Sequence, residues 1–399
     1  MASKAVYAAG LDAGSFLSRF VICVIEQGRL RLVGYGEAPS KGWIKGCVSD
    51  PKALTESLLA AIRDAESRAQ LPPELGSAVL GIGGPTINGL NTRGFYEVGY
   101  PREIGQADVH HAVERASGVV LPADHMLLHV APQDFSVDGR PGHRNPCGMM
   151  GSKLEAFVHL VTASVHEHQG LVGAANLAHL SVEETVFEGL ASAYAALLPE
   201  DRREGVAVID IGAHSTELAV YYGEALVFTH SAPICGDHFT RDVARGLCVS
   251  PEDAEGIKLQ YGCAQVEQTA WNSLIEIPST SERGPRQRYR RELSIILEAR
   301  AQDLFKYVRR ELGRVGMDQN LVGVVLTGGA ARLPGLCDVA EQVLSCQAVY
   351  GLPVGIRDWP KELDNPAWTT AAGLAMYSAR LKLRAELDRR NGFFRSIWP

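Results

Sequence analysis

Two stretches of the chain carry the same order of apolar and polar positions. Residues 11–24 read LDAGSFLSRFVICV, and residues 209–222 read IDIGAHSTELAVYY. Each is the end of an apolar strand, an Asp, one residue, a Gly, a small hydroxyl-bearing turn, and then a second β-rich run. Asp12 corresponds to Asp210 and Gly14 to Gly212, and the hydroxyl of Ser15 answers those of Ser215 and Thr216. A further β-rich run follows each copy, GRLRLVGYGEA in the first and GEALVFTHSAP in the second. The repeated unit is therefore a three-stranded meander, one in each half of the chain.

Between and after the meanders the periodicity changes. The Gly-rich connection PSKGWIKGCVSD leads into Ala53, Leu54, Leu58, Ala61 and Ile62, whose helical spacing predicts an amphipathic helix over 51–69. SAVLGIGG (77–84) reads as a strand. Residues 85–163 change character, and short strands, a helix near 106–117 and the turns of PGHRNPCG predict a separate small subdomain. Helices are expected at 165–178 and 183–197, followed by the polar junction LPEDRREG. After the second meander the pattern predicts helices at 236–247 and 251–261, and an exposed loop in PSTSERGPRQRYRR. A long helix over 291–315 comes next. VGVVLTGGAARLPGL then reads as strand, Gly-Gly turn and helix start, and a final helix covers 366–388.

Composition narrows the class. A chain of 399 residues has room for two domains, and 46% hydrophobic with 21% charged residues is the balance of a soluble globular protein. Net charge is −7 with no long basic run, which argues against nucleic acid as a partner. MASKAVYAAGLDAGS enters a strand directly and lacks a signal peptide's apolar core, and no apolar run is long enough to span a bilayer. The eight cysteines show no C-x-x-C spacing and read as thiols in a reducing cytoplasm. His166 and His168 flank Glu167 without the i, i+4 spacing of two ligands on one helix face. They, with His110, His111 and His129, are read as structural or exposed rather than as metal ligands. Neither a G-x-S-x-G elbow nor a Walker A loop occurs.

The paired D-x-G turns carry the candidate chemistry. Glycine lets backbone N–H groups approach phosphate oxygens, hydroxyls add donors, and an Asp at a strand end holds Mg²⁺ through water. Two such turns, one per half, point to a phosphate tail gripped from both sides. Gly328 and Gly329 sit where a strand turns into a helix, a geometry that favours anions and also serves as a plain tight turn. Glu188 lies early on a helix, as a general base orienting water or as a capping carboxylate. Glu255 and Lys258, three apart, frame a purine and ribose or form an ion pair. From Arg380 to Pro399 six Arg or Lys face two acids. Phe393, Phe394, Ile397 and Trp398 would share one helical face beside Arg395. Such a tail suits an anionic membrane surface, or docks on its own core or on a neighbour.

Two phosphate hairpins, a connecting helix and a late Gly-Gly turn resemble the actin/Hsp70/sugar-kinase superfamily, and within it the FtsA family of bacterial cell-division proteins. GLDAGS, PSKGWIKGCVSD, HVAPQDFSVDG, NPCGMMG, EGLASAY, AVIDIGAHSTELAVY, DAEGIKLQYGCA, VVLTGGAARLPGL and AWTTAAGLAMY carry the resemblance over nearly the whole chain. It implies an α/β, actin-like fold of two ribonuclease-H-like domains around a nucleotide cleft, with an FtsA-type inserted subdomain. The first domain would comprise 1–82, 164–200 and 370–388, with 83–163 inserted. The second would comprise 201–234 and 311–369, with subdomain 235–310, and 389–399 would be a short membrane-targeting tail.

Carried over by position, Asp12, Gly14 and Ser15 match the first phosphate motif, and Asp210, Gly212, Ser215 and Thr216 the second. Glu255 and Lys258 match the adenosine-side helix, and Gly328, Gly329 and Ala330 the adenosine loop. Gly236 and Asp237 line the cleft. The implied cofactors are ATP or ADP and Mg²⁺, the latter held by Asp12 and Asp210. The implied partners are FtsZ, further copies in a filament, the anionic inner membrane surface and other division proteins, at the cytoplasmic face of the division septum. Three departures stand out. Ala213 and His214 replace two expected glycines, Leu17 stands where a Lys is usual, with Arg19 nearby, and the tail is short. The implied activity is at most a slow ATPase, Glu188 its catalytic residue. A related actin-like pilus-assembly scaffold of the PilM type is the alternative. A superfamily sugar kinase ranks below it, for want of a sugar-binding segment.

Overall fold

The computed structural model describes residues 5–69, 75–278 and 284–391. The first meander is β1 (Val6–Asp12), β2 (Leu17–Glu26) and β3 (Arg29–Pro39), all antiparallel. Its second turn, Gln27–Gly28, has positive φ at both residues (51° and 72°), the hairpin turn that matches the strands' twist. A small hairpin, β4 (Trp43–Ile44) with β5 (Cys47–Val48), precedes α1 (Pro51–Ala69), which buries Leu54, Leu58, Ala61 and Ile62 as the periodicity predicts. Strand β6 (Ser77–Ile82) then pairs parallel to β1.

Residues 85–163 do form a compact unit, but not from short strands. β7 (Asn88–Glu103), β8 (His125–Val137) and β10 (Met150–Ser164) run 16, 13 and 15 residues, with α2 (Gln106–Ser117) across them and β9 (Arg140–His143) at one edge. The helix lies so close that a Cβ on Gly94 would stand 2.2 Å from Ala116 N. Ile104, Val109, Ala112, Phe135, Leu154 and Val158 form this unit's own core.

The chain returns through α3 (Val165–Leu177). The helix expected over 183–197 is two elements: strand β11 (Ser181–Phe187) and helix α4 (Glu188–Ala196). The strand half pairs parallel with β6, and that edge, invisible to periodicity, decides it. After α5 (Pro199–Glu204) the second meander repeats the first as β12 (Val206–Ile211), β13 (Thr216–Tyr222) and β14 (Ala225–Ala232). Helices α6 (Gly236–Leu247) and α7 (Pro251–Tyr261) start and stop as predicted, the second with a Ser250 side-chain cap and Pro251 in its first turn. Within the expected loop over 278–291 the structure has a strand, β16 (Arg286–Tyr289), which pairs with β15 (Leu274–Ile277) just before it and leads into α8 (Arg290–Arg314). Strand β17 (Gly323–Thr327), α9 (Leu336–Leu344), β18 (Gln347–Tyr350), β19 (Ile356–Arg357) and α10 (Thr369–Asn391) complete the described chain.

Two sheets share one order. In the first, β3-β2-β1 continues into parallel β6 and β11; in the second, β14-β13-β12 continues into parallel β17 and β18. The inserted unit extends the second sheet, with Asn88 of β7 paired to His230 of β14. Strand register equates the hairpins residue for residue: Asp12 faces Arg19 as Asp210 faces Glu217. In that register Ser18, not Ser15, is the counterpart of Thr216, and Ser15 is the counterpart of Ala213. This corrects the pairing of hydroxyls expected from sequence.

Helix α10 locks the first sheet to α4. A Cβ on Gly10 of β1 would lie 2.4 Å from Ala375 N, and one on Gly373 would lie 1.9 Å from Ala191 O. Both contacts are backbone on backbone, so neither neighbour can yield by a side-chain rotation. Gly373→Ala is therefore expected to destabilise the fold by about 1–3 kcal/mol through overpacking. Urea unfolding measures this, and an unchanged midpoint would contradict the packing described.

Candidate functional site

Four carboxylates meet where the two sheets face each other. Asp12 ends β1, Asp210 lies near the end of β12, Glu217 opens out of β13, and Glu188 is the first residue of α4. Asp12, Asp210 and Glu217 are 7%, 6% and 1% exposed. Burial drives all four upward, and repulsion from neighbouring carboxylates adds to it for Asp12, Glu217 and Glu188. Asp12 and Glu217 are each pushed to about 7, Asp210 is raised, and Glu188 is raised well above the carboxylate range by burial and by Asp12, Glu217 and Asp210. Arg19 opposes this for Asp12 and Asp210. Its place follows from register, directly across the hairpin from Asp12, with Glu37 at 3.3 Å and the Trp368 ring at 5.4 Å. Arg19 lies two residues beyond Leu17 on the same strand, β2.

Asp210 is tied to the opposite half. Thr370 Oγ1 donates to its Oδ2 at 2.7 Å, Ser192 Oγ donates to the same oxygen, and the two hydroxyls lie 2.9 Å apart. Ser192 stands on α4 and Thr370 on α10. Gly328, at φ 89°, leaves room for the other oxygen, since a Cβ there would lie 2.4 Å from Asp210 Oδ1.

Glycine and alanine backbone lines the second turn. Gly212 N donates to Ser215 O at 2.9 Å and closes the loop. Gly236 N then donates to Gly212 O, and Asp237 N to Ala213 O, each at 2.9 Å, so α6 begins against the loop. A Cβ on Gly236 would stand 3.2 Å from the Ala330 Cβ. Gly212, Gly236 and Ala330, far apart in sequence, therefore converge. Gly328 and Gly329 border them, and the exposed Gly329 has open space before it. Gly14 closes the first turn, where a Cβ would meet Leu17 O at 2.6 Å, and Ser15 is half-buried beside it.

Glu255 and Lys258 form a partly buried ion pair at 2.7 Å, and Lys258 Nζ donates to Thr240 Oγ1 at 2.8 Å and to Gly236 O at 3.4 Å. Thr240 in turn donates to Glu255. The pair thus braces α7 against the first turn of α6. Thr216 does not join the group: it is fully buried and spends its hydroxyl on Ile234 O at 2.7 Å. The expected membrane residues Phe393, Phe394, Arg395, Ile397 and Trp398 lie outside the described residues. None of the described helices is long and apolar enough to cross a membrane. Sequence reading missed Glu217, Ser192 and Thr370. Aligning Glu217 with Arg19 through the repeat was the available signal for the first; nothing local marked the hydroxyls.

Two matching half-sheets around an acidic, glycine-walled cleft define an actin-like protein. Solved structures of this shape include a PilM–PilN type IV pilus biogenesis complex (TM-score 0.68, 19% identity, 94% of this chain and 99% of that one). Another is MreB5 of Spiroplasma citri bound to AMPPNP (TM-score 0.58, 14% identity, 98% and 100%). The family model for cell division protein FtsA matches residues 207–373, and that for the SHS2 domain inserted in FtsA matches 84–162. FtsA of Pseudomonas aeruginosa is 35% identical over 92% of this chain and 88% of its own length, and FtsA of Escherichia coli 33% identical over 96% and 93%. The chain belongs to the FtsA family of cell division proteins.

The raised carboxylates make stability depend on pH. The folded cleft holds protons that the unfolded chain releases near pH 4, so their contribution falls as pH rises from about 4 to about 7. His129 and His159, kept neutral by burial down to about 4, act in the opposite direction. The difference between variants isolates the acids. Glu217→Gln is expected to gain melting temperature relative to the unsubstituted protein as pH rises from about 5 to 8, the window of its shift. A difference that is constant with pH would refute this.

Proposed function

We propose that the cleft binds ATP or ADP with Mg²⁺, and that the nucleotide-bound protein polymerises and tethers FtsZ to the inner face of the cytoplasmic membrane at the septum. The observation that carries the nucleotide reading is the convergence of Gly212, Gly236, Gly328 and Ala330 beside buried Asp12 and Asp210. Backbone N–H groups without obstructing side chains suit phosphate oxygens, while Glu255 and Lys258 stand on the side proposed for adenosine.

The same site needs a cation. A polyphosphate entering among four carboxylates with Arg19 beside them meets strong repulsion, and buried charge of one sign is costly. Mg²⁺, when bound, supplies the compensating charge and orients phosphate oxygens. Asp12 and Asp210 would hold it through water. That fits a site where, among the described residues, no three His, Cys, Asp or Glu side chains stand close enough to grip a metal directly. Glu188 is the candidate base for hydrolysis. Burial together with Asp12, Glu217 and Asp210 raises its carboxyl, which weighs against efficient general-base action. Ala213 adds a side chain to the second turn, and its carbonyl is already committed to Asp237 N. Membership of a division-protein family supports the FtsZ and filament readings.

Asp210→Asn preserves the acceptor for Ser192 and Thr370 while removing charge. It is expected to weaken Mg-ATP binding at least about tenfold, about 1.4 kcal/mol, by calorimetry. Unaltered affinity would count against the site. For the tail, four apolar side chains contribute at most about 1.5–3 kcal/mol each when buried, so attachment gains from many tails displayed on one polymer. Removing residues 392–399 should abolish co-sedimentation with anionic vesicles and leave ATP binding intact. Continued sedimentation would refute the anchor.

A further inference from the structure

Away from the cleft, the outer edge of the first sheet carries an open groove of about 920 Å³, large enough for a ligand. It runs between the start of β3, strand β19, Tyr194 of α4 and the stretch of α10 from Met376 to Leu387. Leu30, Ile356, Met376, Leu383 and Leu387 give it an apolar lining. Four arginines, Arg29, Arg357, Arg380 and Arg384, line it too, and no acid does. In a chain of net charge −7 this is a local reversal of sign.

Register and helical spacing gather these side chains. Strand β19 pairs parallel with β3, Arg357 opposite Arg31, so Arg357 shares a sheet face with Arg29 two residues away. On α10, Met376, Arg380 and Arg384 follow one another at four-residue steps, and Ala379, Leu383 and Leu387 form the row beside them. Arg380 lies 5.9 Å from the centre of the Tyr194 ring. Arg29 and Arg357 are exposed, and neither has a hydrogen bond or ion pair among the described residues. The nearby acids are turned elsewhere. Glu26 is paired with Arg31 at 2.6 Å, and Glu386 lines an adjoining depression with Lys382.

The lining selects among occupants. Inorganic phosphate would leave the apolar residues in water. The chain's own tail is a poor match, because residues 389–399 contain Arg389, Arg390 and Arg395 and no acid. A phospholipid of net negative charge offers both surfaces at once, a phosphate for guanidinium forks and glycerol with its first methylenes for the leucines. Placement agrees: α10 ends at Asn391, about one turn beyond Leu387, and residues 392–399 follow as the proposed membrane tail.

We propose that this groove binds the headgroup of an anionic phospholipid, with Arg29 and Arg357 at its phosphate and Leu383 and Leu387 along its apolar part. The inference rests on the membrane reading of the tail and adds a second contact, on the folded body. A few inserted side chains hold weakly and leave the body free to swing, whereas two contacts hold it and set its orientation.

Co-sedimentation of the full chain with phosphatidylcholine vesicles containing about one-third phosphatidylglycerol tests this. An arginine held at an anionic surface contributes roughly fivefold in affinity, so the double variant Arg29→Gln, Arg357→Gln should bind at least about tenfold more weakly. Its Mg-ATP binding should be unchanged. The double variant Arg63→Gln, Arg140→Gln removes the same charge from exposed positions outside the groove and should stay within about twofold of the unsubstituted chain. Inorganic phosphate added at constant ionic strength should not displace the protein. Equal losses in the two double variants would reduce the effect to net charge, and displacement by phosphate would make the groove a free-anion site. Undiminished binding of the Arg29, Arg357 variant would leave the groove to an acidic protein segment. Each of these results overturns the inference while the tail reading stands. If the unsubstituted chain does not sediment with the vesicles, the membrane reading fails with it.

Discussion

The carboxylate of Asp210 is bonded by two hydroxyls that belong to the other half of the molecule. It grows from a strand of the second sheet, while Ser192 and Thr370 stand on helices packed against the first. A buried carboxylate without donors is strongly unfavourable, so this contact forms only with the halves closed to hydrogen-bonding distance. The tight seats of α10, against Gly10 of β1 and, through its own Gly373, against Ala191 of α4, put Thr370 and Ser192 within 2.9 Å of each other. The cleft's depth and the alignment of its two turns follow from that junction.

The fold repeats itself, but its charges do not. Matched register makes Asp12–Arg19 of the first hairpin the counterpart of Asp210–Glu217 in the second. Two like pairs would give either a neutral cleft or one more strongly acidic. The observed combination, with Glu188 added, leaves an excess of buried negative charge that the carboxyls relieve by holding protons. Such a site is electrostatically incomplete alone, which is why the nucleotide and Mg²⁺ are proposed together.

The inserted unit has its own core, so it is not a loop dressed with strands, and its matched family domain occupies nearly the same residues. Its sheet is nevertheless continuous with that of the second half, although the chain enters it from the first. A segment that leaves one half and seats on the other reports on the relation between them. Where the unit begins, Gly84 N donates to Glu217 Oε1 at 2.9 Å and ties it to the acidic cleft.

Much of this was legible in the chain itself, because local physics acts over few residues. The repeated D-x-G turns marked both meanders and hence the paired acids. Apolar spacing marked α1, since periodicity needs no distant partner. Strand β11 was hidden because SVEETVF becomes extended only by bonding along β6, and β16 because RQRY reads as polar surface until it pairs with β15. At the site, sequence named the glycines and aspartates. Tertiary structure alone brought Ser192 and Thr370 to Asp210, turned Thr216 away, and set Glu217 against the Gly84 amide. Two of those contacts, Thr370 with Asp210 and Gly84 with Glu217, span more than a hundred residues of chain, and only the closed pair of sheets creates them.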